Sequence, residues 1–132
     1  GLPCRTRVDL WHPDFIFDLK TTRHATCSEF QRAALDLHYD LQAYMYCLAE
    51  AVVEKRDTAR PFIFIAAQAA EPHPVHVLSA GDHFLENGRA KYQHAIGLLK
   101  ACMDSDYWPD NSCDGVMDIE PWQQFAPSGQ LR

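Results

Sequence analysis

The pattern of apolar and polar residues predicts that the chain begins with a β-hairpin. Residues 4–11 alternate between polar and apolar side chains, which is typical of a half-buried strand. Residues 12–14 are His-Pro-Asp and supply a turn. Residues 15–22 then form a mostly apolar run. We therefore predict two antiparallel strands joined by this turn.

Helical patterns occupy three later segments. Thr26 and Glu29 have the spacing of a capping box, and apolar residues at helical spacing follow them. A second helix is predicted over residues 39–55. A third, long helix is predicted over residues 79–103, where Gly88 and Gly97 weaken the helical propensity slightly.

Two further strands are predicted between the second and third helices. Residues 62–67 are continuously apolar, as in a strand that is buried on both faces. Residues 75–78 predict a more peripheral strand. The order of strands and helices favours an α/β or α+β fold in which helices flank a central mixed sheet.

The length of 132 residues fits one domain. We divide it into a core over residues 1–105 and an irregular tail over residues 106–132. The tail contains Pro109, Pro121 and Pro127 among aromatic and acidic residues. We expect the tail to pack on the core.

Composition and charge exclude some classes of protein. No run of about 18 apolar residues is present, so the sequence predicts no membrane span. The net charge of −6 argues against a broad basic surface for nucleic acid. It is compatible with an acidic site whose bound divalent cations meet a phosphate. The five scattered cysteines include no C-x-x-C pair and favour reduced thiols in the cytoplasm over a zinc site or disulfides.

Asp18 and Lys20 interrupt the apolar run of the second strand. Because side chains alternate along a strand, these two lie on the same side of it. We expect Phe15, Phe17 and Leu19 to point to the other side, into a core. A lone Asp-x-Lys is typical of an ion pair at a sheet edge.

The neighbouring strand changes the interpretation of this pair. Asp9, on the first strand of the hairpin, could lie beside Asp18. Two carboxylates and a lysine on one face suit a nuclease that uses divalent metal ions.

These residues carry a resemblance to a known family. Asp9, Asp18-Leu19-Lys20 and, on the next helix, Gln42 and Tyr46 resemble the motifs of the PD-(D/E)xK nuclease superfamily. The Gln-x-x-x-Tyr element resembles the branch that includes RecB-type nuclease domains and lambda exonuclease. Similarity to the nuclease domain of the RecE, or exonuclease VIII, family extends over nearly the whole chain. Its segments are residues 18–22, Tyr39, Gln42, and residues 61–66 and 106–109.

The resemblance implies a role for each motif residue. Asp9, Asp18 and the backbone carbonyl of Leu19 would ligate Mg²⁺ or Mn²⁺. Lys20 would orient or activate the attacking water and stabilise charge on the phosphate. Gln42 and Tyr46 would position the phosphate or the nucleophile. The candidates for contacts to the DNA backbone are Arg5, Arg7, Thr21, Thr22 and Arg23.

The resemblance also implies an activity and partners. It implies a Mg²⁺-dependent 5′→3′ exonuclease that acts on double-stranded DNA ends in recombination. The protein would form a ring-shaped homo-oligomer, prepare overhangs for a RecT-like single-strand annealing protein, and be of bacterial or phage (prophage) origin. Family members carry an upstream acidic residue that completes the metal site, and we expect it to be missing from this sequence. The alternatives are a catalytically incomplete module for DNA binding or assembly, and an endonuclease of the same superfamily.

Overall fold

The computed structural model describes residues 2–110 and contains one four-stranded mixed sheet with three helices. The elements are β1 (Leu10–Trp11), β2 (Ile16–Thr22), α1 (Cys27–Asp36), α2 (Tyr39–Val53), β3 (Phe62–Gln68), β4 (Val75–Ser79) and α3 (Asp82–Ser105). The sheet order is β1-β2-β3-β4. β2 and β3 are parallel, whereas the two outer strands pair antiparallel with their neighbours. The predicted fold class is confirmed.

The connection between the two parallel strands sets the architecture around the site. Parallel strands need a crossover, and α1 and α2 provide it between β2 and β3. The start of α1 is fixed locally, as predicted. Thr26 Oγ1 accepts a 3.3 Å hydrogen bond from the Glu29 N–H, and a Glu29 carboxylate oxygen accepts one of 3.2 Å from the Thr26 N–H.

The first strand is much shorter than predicted. Only Leu10 and Trp11 pair with β2, so the predicted strand over residues 4–11 is wrong over most of its length. If the antiparallel pairing continued, the N–H of Leu19 on β2 would be the next to donate a hydrogen bond to the backbone of the segment before β1. The Leu19 N–H instead donates to the carboxylate of Asp9 across 2.9 Å. The Asp9 side chain therefore takes the place of a backbone carbonyl as the acceptor for Leu19, and the pairing between β1 and β2 ends there.

The face of β2 that meets the helices is also the opposite of the predicted one. Ile16 is fully buried and Asp18 is 2% exposed, whereas Leu19 is 57% exposed. The prediction that Phe15, Phe17 and Leu19 point into the core is therefore wrong. The buried cluster consists of Ile16, Phe30, Ala34, Ala43, Cys47, Phe62, Phe64 and Ala66. Asp18 and Lys20 thus lie on the same face of the sheet as the hydrophobic core.

Helices α2 and α3 touch backbone to backbone at Gly88. A Cβ atom at this position would lie 2.0 Å from the carbonyl oxygen of Asp40. Asp40 is fully buried. Its carboxylate accepts hydrogen bonds from the Leu41 N–H, from Asn87 Nδ2 and from Lys91 Nζ, the last at 2.8 and 2.9 Å. These contacts fix the first turn of α2.

The third helix ends near the limit of the described residues. Tyr107 and Trp108 beyond it are exposed. Residues 111–132, most of the predicted tail, lie outside the described residues, so the division into core and tail stays a prediction. Within residues 2–110, no helix is both long and apolar enough to cross a membrane.

Candidate active site

The core of the site is a buried ion pair on β2. Asp18 and Lys20 share the face that packs against the helices, because they are two residues apart in a strand. Lys20 Nζ lies 2.7 Å from Asp18 Oδ2, and the lysine side chain is only 16% exposed. Charges at this depth are costly unless they are paired, which argues against an incidental surface ion pair.

Gln42, in the first turns of α2, closes a triangle with this pair. Its Nε2 donates to Asp18 Oδ1 across 2.8 Å, and its Oε1 accepts from Lys20 Nζ across 2.8 Å. The amide group has one end that donates and one that accepts, so it meets a carboxylate and an ammonium at once. Lys20 and Gln42, which are 22 residues apart in sequence, are therefore joined by a direct hydrogen bond.

Asp9 supplies a second carboxylate at the site. Its Oδ2 accepts the hydrogen bond of the Leu19 N–H, which places the side chain beside β2. The negative charge of Asp9 acts to raise the pKa of Asp18, so the two carboxylates influence each other electrostatically. Asp9 is exposed, whereas Asp18 is buried. Asp9 is thus close to Asp18, as predicted, although it lies directly before the short β1 and not within a long strand.

The environment of Asp18 disfavours its ionised form. Burial is the largest cause and raises the pKa of Asp18 above its usual value. The hydrogen bond and the charge of Lys20 act in the opposite direction, and so does the hydrogen bond from Gln42, but they do not compensate fully. A carboxylate in this state gains from a further cation.

The donor set fits a hard divalent cation. Two carboxylates and the carbonyl of Leu19, the residue between Asp18 and Lys20, are all oxygen ligands, which Mg²⁺ and Mn²⁺ prefer. No group of three or more His, Cys, Asp or Glu side chains with the geometry of a metal site occurs among residues 2–110. In that part of the chain, Asp9 and Asp18 are the carboxylates that could contribute side-chain oxygens at this position.

Tyr39 contacts the site, although no sequence pattern assigned it a role there. Lys20 Nζ lies 4.4 Å from the centroid of the Tyr39 ring, a cation–π contact. The same ring stacks on Phe64 of β3 at 5.9 Å. The ammonium is therefore held by an aromatic face as well as by Asp18 and Gln42. The sequence placed Tyr39 at a helix boundary and within the RecE-like resemblance, but it did not predict this contact.

The other predicted catalytic residue lies further along α2. Tyr46 follows Gln42 by one helical turn, and its ring packs against Phe62 at 6.1 Å. Phe62 pairs with Ile16 on β2, and Phe64 pairs with Asp18. Tyr46 therefore lies near the level of Ile16, two residues before Asp18 on β2. Its role in catalysis stays a prediction.

The predicted DNA contacts fall into two groups. Thr21 and Thr22 end β2, directly after Lys20, and Arg23 follows them. Arg5 and Arg7 are exposed in the irregular segment before β1. Only the first group continues the strand that carries the site.

The chain matches a known family. A family model described as a PDDEXK-like domain of unknown function (DUF3799) matches residues 1–118. None of the curated proteins compared with the chain matches it. The chain has the PD-(D/E)xK nuclease fold, so this part of the resemblance is confirmed.

A solved structure shares this fold. It is the crystal structure of a protein from Eubacterium rectale that is provisionally described as an exonuclease. The TM-score is 0.62 and the sequence identity is 19%, over 86% of the present chain. The matched region is 47% of the other chain, so our sequence spans about half the length of that protein. At this identity the likeness shows the fold alone.

Proposed function

Because the chain belongs to the family of PDDEXK-like domains (DUF3799), we propose that it is a metal-dependent nuclease that hydrolyses phosphodiester bonds of DNA. The observation that carries the proposal is the triangle formed by Asp18, Lys20 and Gln42 beside Asp9. A protein that only binds has no need of a buried lysine and carboxylate held by a shared amide. A carboxylate that can hold a metal ion, an ammonium group and a polar positioning group at one point suit hydrolysis of a phosphodiester.

The proposed metal is Mg²⁺ or Mn²⁺, held by Asp9, Asp18 and the carbonyl of Leu19. Such an ion supplies an activated water molecule and stabilises negative charge on the phosphate. Asp18 stays ionised when the cation is bound, because an adjacent positive charge favours the carboxylate form. The two aspartates would hold the ion through their carboxylate oxygens.

Lys20 and Gln42 perform the remaining tasks. The ammonium of Lys20 binds a phosphate oxygen or orients the attacking water by donating a hydrogen bond to it. The Gln42 amide holds Asp18 and Lys20 in fixed positions, 2.8 Å from each. Tyr39 keeps the ammonium of Lys20 on the site side of the sheet. We assign Tyr46 to the positioning of the phosphate or nucleophile, as the family resemblance implies.

The finer proposal is a 5′→3′ exonuclease that acts on double-stranded DNA ends in homologous recombination. The RecE-like motif spacing supports it. By the same resemblance, we propose a ring-shaped homo-oligomer in the cytoplasm that works with a RecT-like single-strand annealing protein. A closed ring would keep an acidic protein on DNA without a broad basic surface. Contacts of Arg5, Arg7, Thr21, Thr22 and Arg23 with the DNA backbone belong to this proposal.

A second candidate function rests on one observation. The described residues supply only two carboxylates to the site, and a catalytically incomplete domain could use this fold for DNA binding or assembly. The intact triangle favours the nuclease. An endonuclease of the same superfamily would share the chemistry but would cut DNA that has no ends.

The experiment that tests the proposal is digestion of linear duplex DNA labelled at either the 5′ or the 3′ end. It compares residues 1–132, and any longer natural protein that carries them, in Mg²⁺ and in EDTA. Release of 5′ nucleotides that needs both Mg²⁺ and Asp18 supports the exonuclease. Cleavage of a covalently closed circle would indicate the endonuclease. Metal binding without any cleavage would favour the binding module.

A further inference from the structure

The arginine that precedes β3 is buried against the indole ring of Trp11 on β1. Arg60 is 8% exposed, and its guanidinium carbon lies 4.7 Å from the centroid of the Trp11 ring. A planar guanidinium stacks well on an aromatic face, because the ring attracts the cation. Trp11 pairs with Ile16 on β2. Ile16 in turn pairs with Phe62, which follows Arg60 by two residues. The contact therefore joins β1 to the start of β3, across β2.

Acidic residues at the end of α2 hold the guanidinium in place. Arg60 Nη1 lies 3.2 Å from Oε1 of Glu50, whose side chain is 2% exposed, and Nη2 lies 3.8 Å from Oε2 of Glu54. The other oxygen of Glu50 accepts a 3.2 Å hydrogen bond from the Arg60 N–H. Among residues 2–110, Nε and Nη1 of Arg60 have no hydrogen-bond acceptor. Charge and the contact with the indole therefore hold this side chain, and not a full set of hydrogen bonds.

Ion pairing alone does not explain why this arginine is buried. A buried ion pair is often no more stable than apolar side chains of similar volume. Trp11 is 49% exposed, so its ring is not a core residue that the arginine merely covers. Glu50 restrains the guanidinium, and the guanidinium restrains the ring. The role of the contact therefore depends on what Trp11 holds in position.

Trp11 lies two residues after Asp9, the exposed carboxylate of the candidate active site. β1 is only two residues long, and its other member, Leu10, is 56% exposed. Few backbone hydrogen bonds and little apolar burial therefore hold this strand to β2. On the other side of Asp9, Val8 is partly buried and packs against the core. Asp9, whose Oδ2 accepts from the Leu19 N–H, thus lies between two anchors.

We propose that Arg60 is a positioning residue for the metal site. Its stack on Trp11 holds Asp9 where this carboxylate can bind one divalent cation together with Asp18. This inference rests on the proposed nuclease function. Without the stack, β1 separates from β2 more often, and the exposed Asp9 side chain loses the Leu19 N–H. Metal binding must then order the carboxylate at an entropic cost, which a preformed pair of ligands avoids.

The first experiment measures the position of Asp9 without any metal or DNA. The Leu19 N–H donates to Asp9, so its hydrogen–deuterium exchange, followed by NMR in EDTA, reports whether that carboxylate stays in place. The Lys20 N–H is the internal reference, because successive N–H groups of a strand point to opposite sides and this one points toward β3. The variants are Trp11→Leu, Trp11→Phe and Arg60→Lys.

Each variant isolates one part of the contact. Trp11→Leu removes the aromatic face and leaves the buried pair of Arg60 and Glu50 intact, whereas Trp11→Phe keeps a ring. Arg60→Lys keeps a positive charge beside Glu50 but loses the planar group. Trp108→Leu is the matched control, because Trp108 is also exposed, at 57%, and lies beyond α3. Circular dichroism verifies that each variant is folded.

We expect the exchange of Leu19 to be several-fold faster in Trp11→Leu and in Arg60→Lys, with the exchange of Lys20 unchanged. Trp11→Phe should retain most of the protection, and Trp108→Leu should retain all of it. Unchanged exchange of Leu19 in both Trp11→Leu and Arg60→Lys would overturn the proposal. Equal acceleration at Leu19 and Lys20 would also overturn it, since the substitutions would then loosen the whole sheet.

The second experiment measures the affinity for Mn²⁺ from the electron paramagnetic resonance signal of the free ion, in the absence of DNA. We expect Trp11→Leu to raise the Kd about 10-fold, the lower end of the effect of losing a group that orients a metal ligand. Adding Trp11→Leu to Asp9→Asn should have no further effect, because the tryptophan acts only through Asp9. Equal Kd values of Trp11→Leu and the unaltered chain, or a further loss in the double variant, would contradict the positioning role.

The two experiments separate this inference from the proposed function. Mn²⁺ binding that is the same in Asp18→Asn as in the unaltered chain would reject the proposed metal site, whereas the exchange of Leu19 would still decide whether Arg60 positions Asp9. Mn²⁺ binding that depends on Asp18 but not on Trp11 or Arg60 would support the metal site and reject the positioning role.

Discussion

The side-chain amide of Gln42 donates a 2.8 Å hydrogen bond to Oδ1 of Asp18. The other end of the same amide accepts from Lys20, at the same distance. The position of α2 against the sheet therefore decides whether the charged pair on β2 has a fixed geometry. The carboxylate of Asp40, two residues before Gln42, anchors this turn of α2 to α3.

Replacing Gln42 by Glu should disturb the site without removing the acceptor for Lys20. A third carboxylate would then join Asp9 and Asp18 and raise the pKa of Asp18 further, since like charges disfavour ionisation. We expect a loss of nuclease activity of about 10- to 100-fold, with a rate profile shifted to higher pH. The ¹³C chemical shift of the Asp18 carboxyl carbon measures the pKa without any need for cleavage. Gln93→Glu, at an exposed position of α3, is the control, and an unchanged Asp18 pKa in Gln42→Glu would contradict the prediction.

Asp18 should destabilise the metal-free chain at neutral pH. Its pKa is raised in the folded state, so the favourable protonated form is present at low pH and is lost as the pH rises through the raised pKa. Asp18→Asn removes this titration. We therefore expect the Tm of Asp18→Asn in EDTA to exceed that of the unaltered chain by an amount that grows between acidic and neutral pH. A difference in Tm that stays constant with pH would show that another group dominates.

Divalent ions should offset the destabilisation that ionised Asp18 causes in the metal-free chain. An ion that binds only the folded state at a hundred times its Kd adds about 2.7 kcal/mol to the free energy of unfolding. We expect Mg²⁺ or Mn²⁺ to raise the Tm of the unaltered chain, and to have little effect on Asp9→Asn and Asp18→Asn. Thermal scans at several metal concentrations measure the effect. Equal stabilisation of all three proteins would place the metal elsewhere.

The two glycines of α3 should respond in opposite ways to alanine. At Gly88 the new Cβ would lie 2.0 Å from the Asp40 carbonyl oxygen, so the helices must separate. We expect a loss of about 1–3 kcal/mol or more. At Gly97 no atom lies within 4 Å of the new Cβ, and alanine should stabilise the exposed helix by about 0.5–1 kcal/mol. Urea unfolding of both variants tests the pair, and equal effects would mean that α2 and α3 do not cross at Gly88.

Lys91→Met should weaken the junction of α2 and α3 in a pH-dependent way. Burial acts to raise the pKa of Asp40, but the hydrogen bonds from Lys91, the Leu41 N–H and Asn87 together outweigh it and lower the pKa. The stability that this carboxylate contributes is therefore present above its unfolded pKa and lost as the pH falls through the lowered value. We expect Lys91→Met to be about 2 kcal/mol less stable at neutral pH, with a smaller difference in acid.

The matched control for this prediction is Lys100→Met, which makes the same change at an exposed position of the same helix. Its free energy of unfolding should differ little from that of the unaltered chain. A pH-independent loss in Lys91→Met would indicate that the lysine stabilises through its methylene groups rather than through Asp40.

The sequence by itself determined the features that depend on local chemistry. The capping box starts α1 because Thr26 and Glu29 bond to each other's backbone within one turn. The apolar run predicts β3 because every side chain on a central strand meets other apolar groups. The two-residue period of a strand places Asp18 and Lys20 on one side, whatever surrounds them. The family motif follows from these residues and their spacing.

Tertiary structure alone decided which side of β2 faces the core. Phe15, Ile16 and Phe17 are all apolar, so the pattern near the site does not distinguish the two faces, and the helices that cover one of them are remote in sequence. For the same reason, the sequence could not predict the contact of Tyr39 with Lys20 or the close approach of Gly88 to Asp40. Each joins residues that only the crossover of α1 and α2, or the packing of α3, brings together. The chain encodes the chemical groups locally, and the packing of its helices on the sheet turns them into a site.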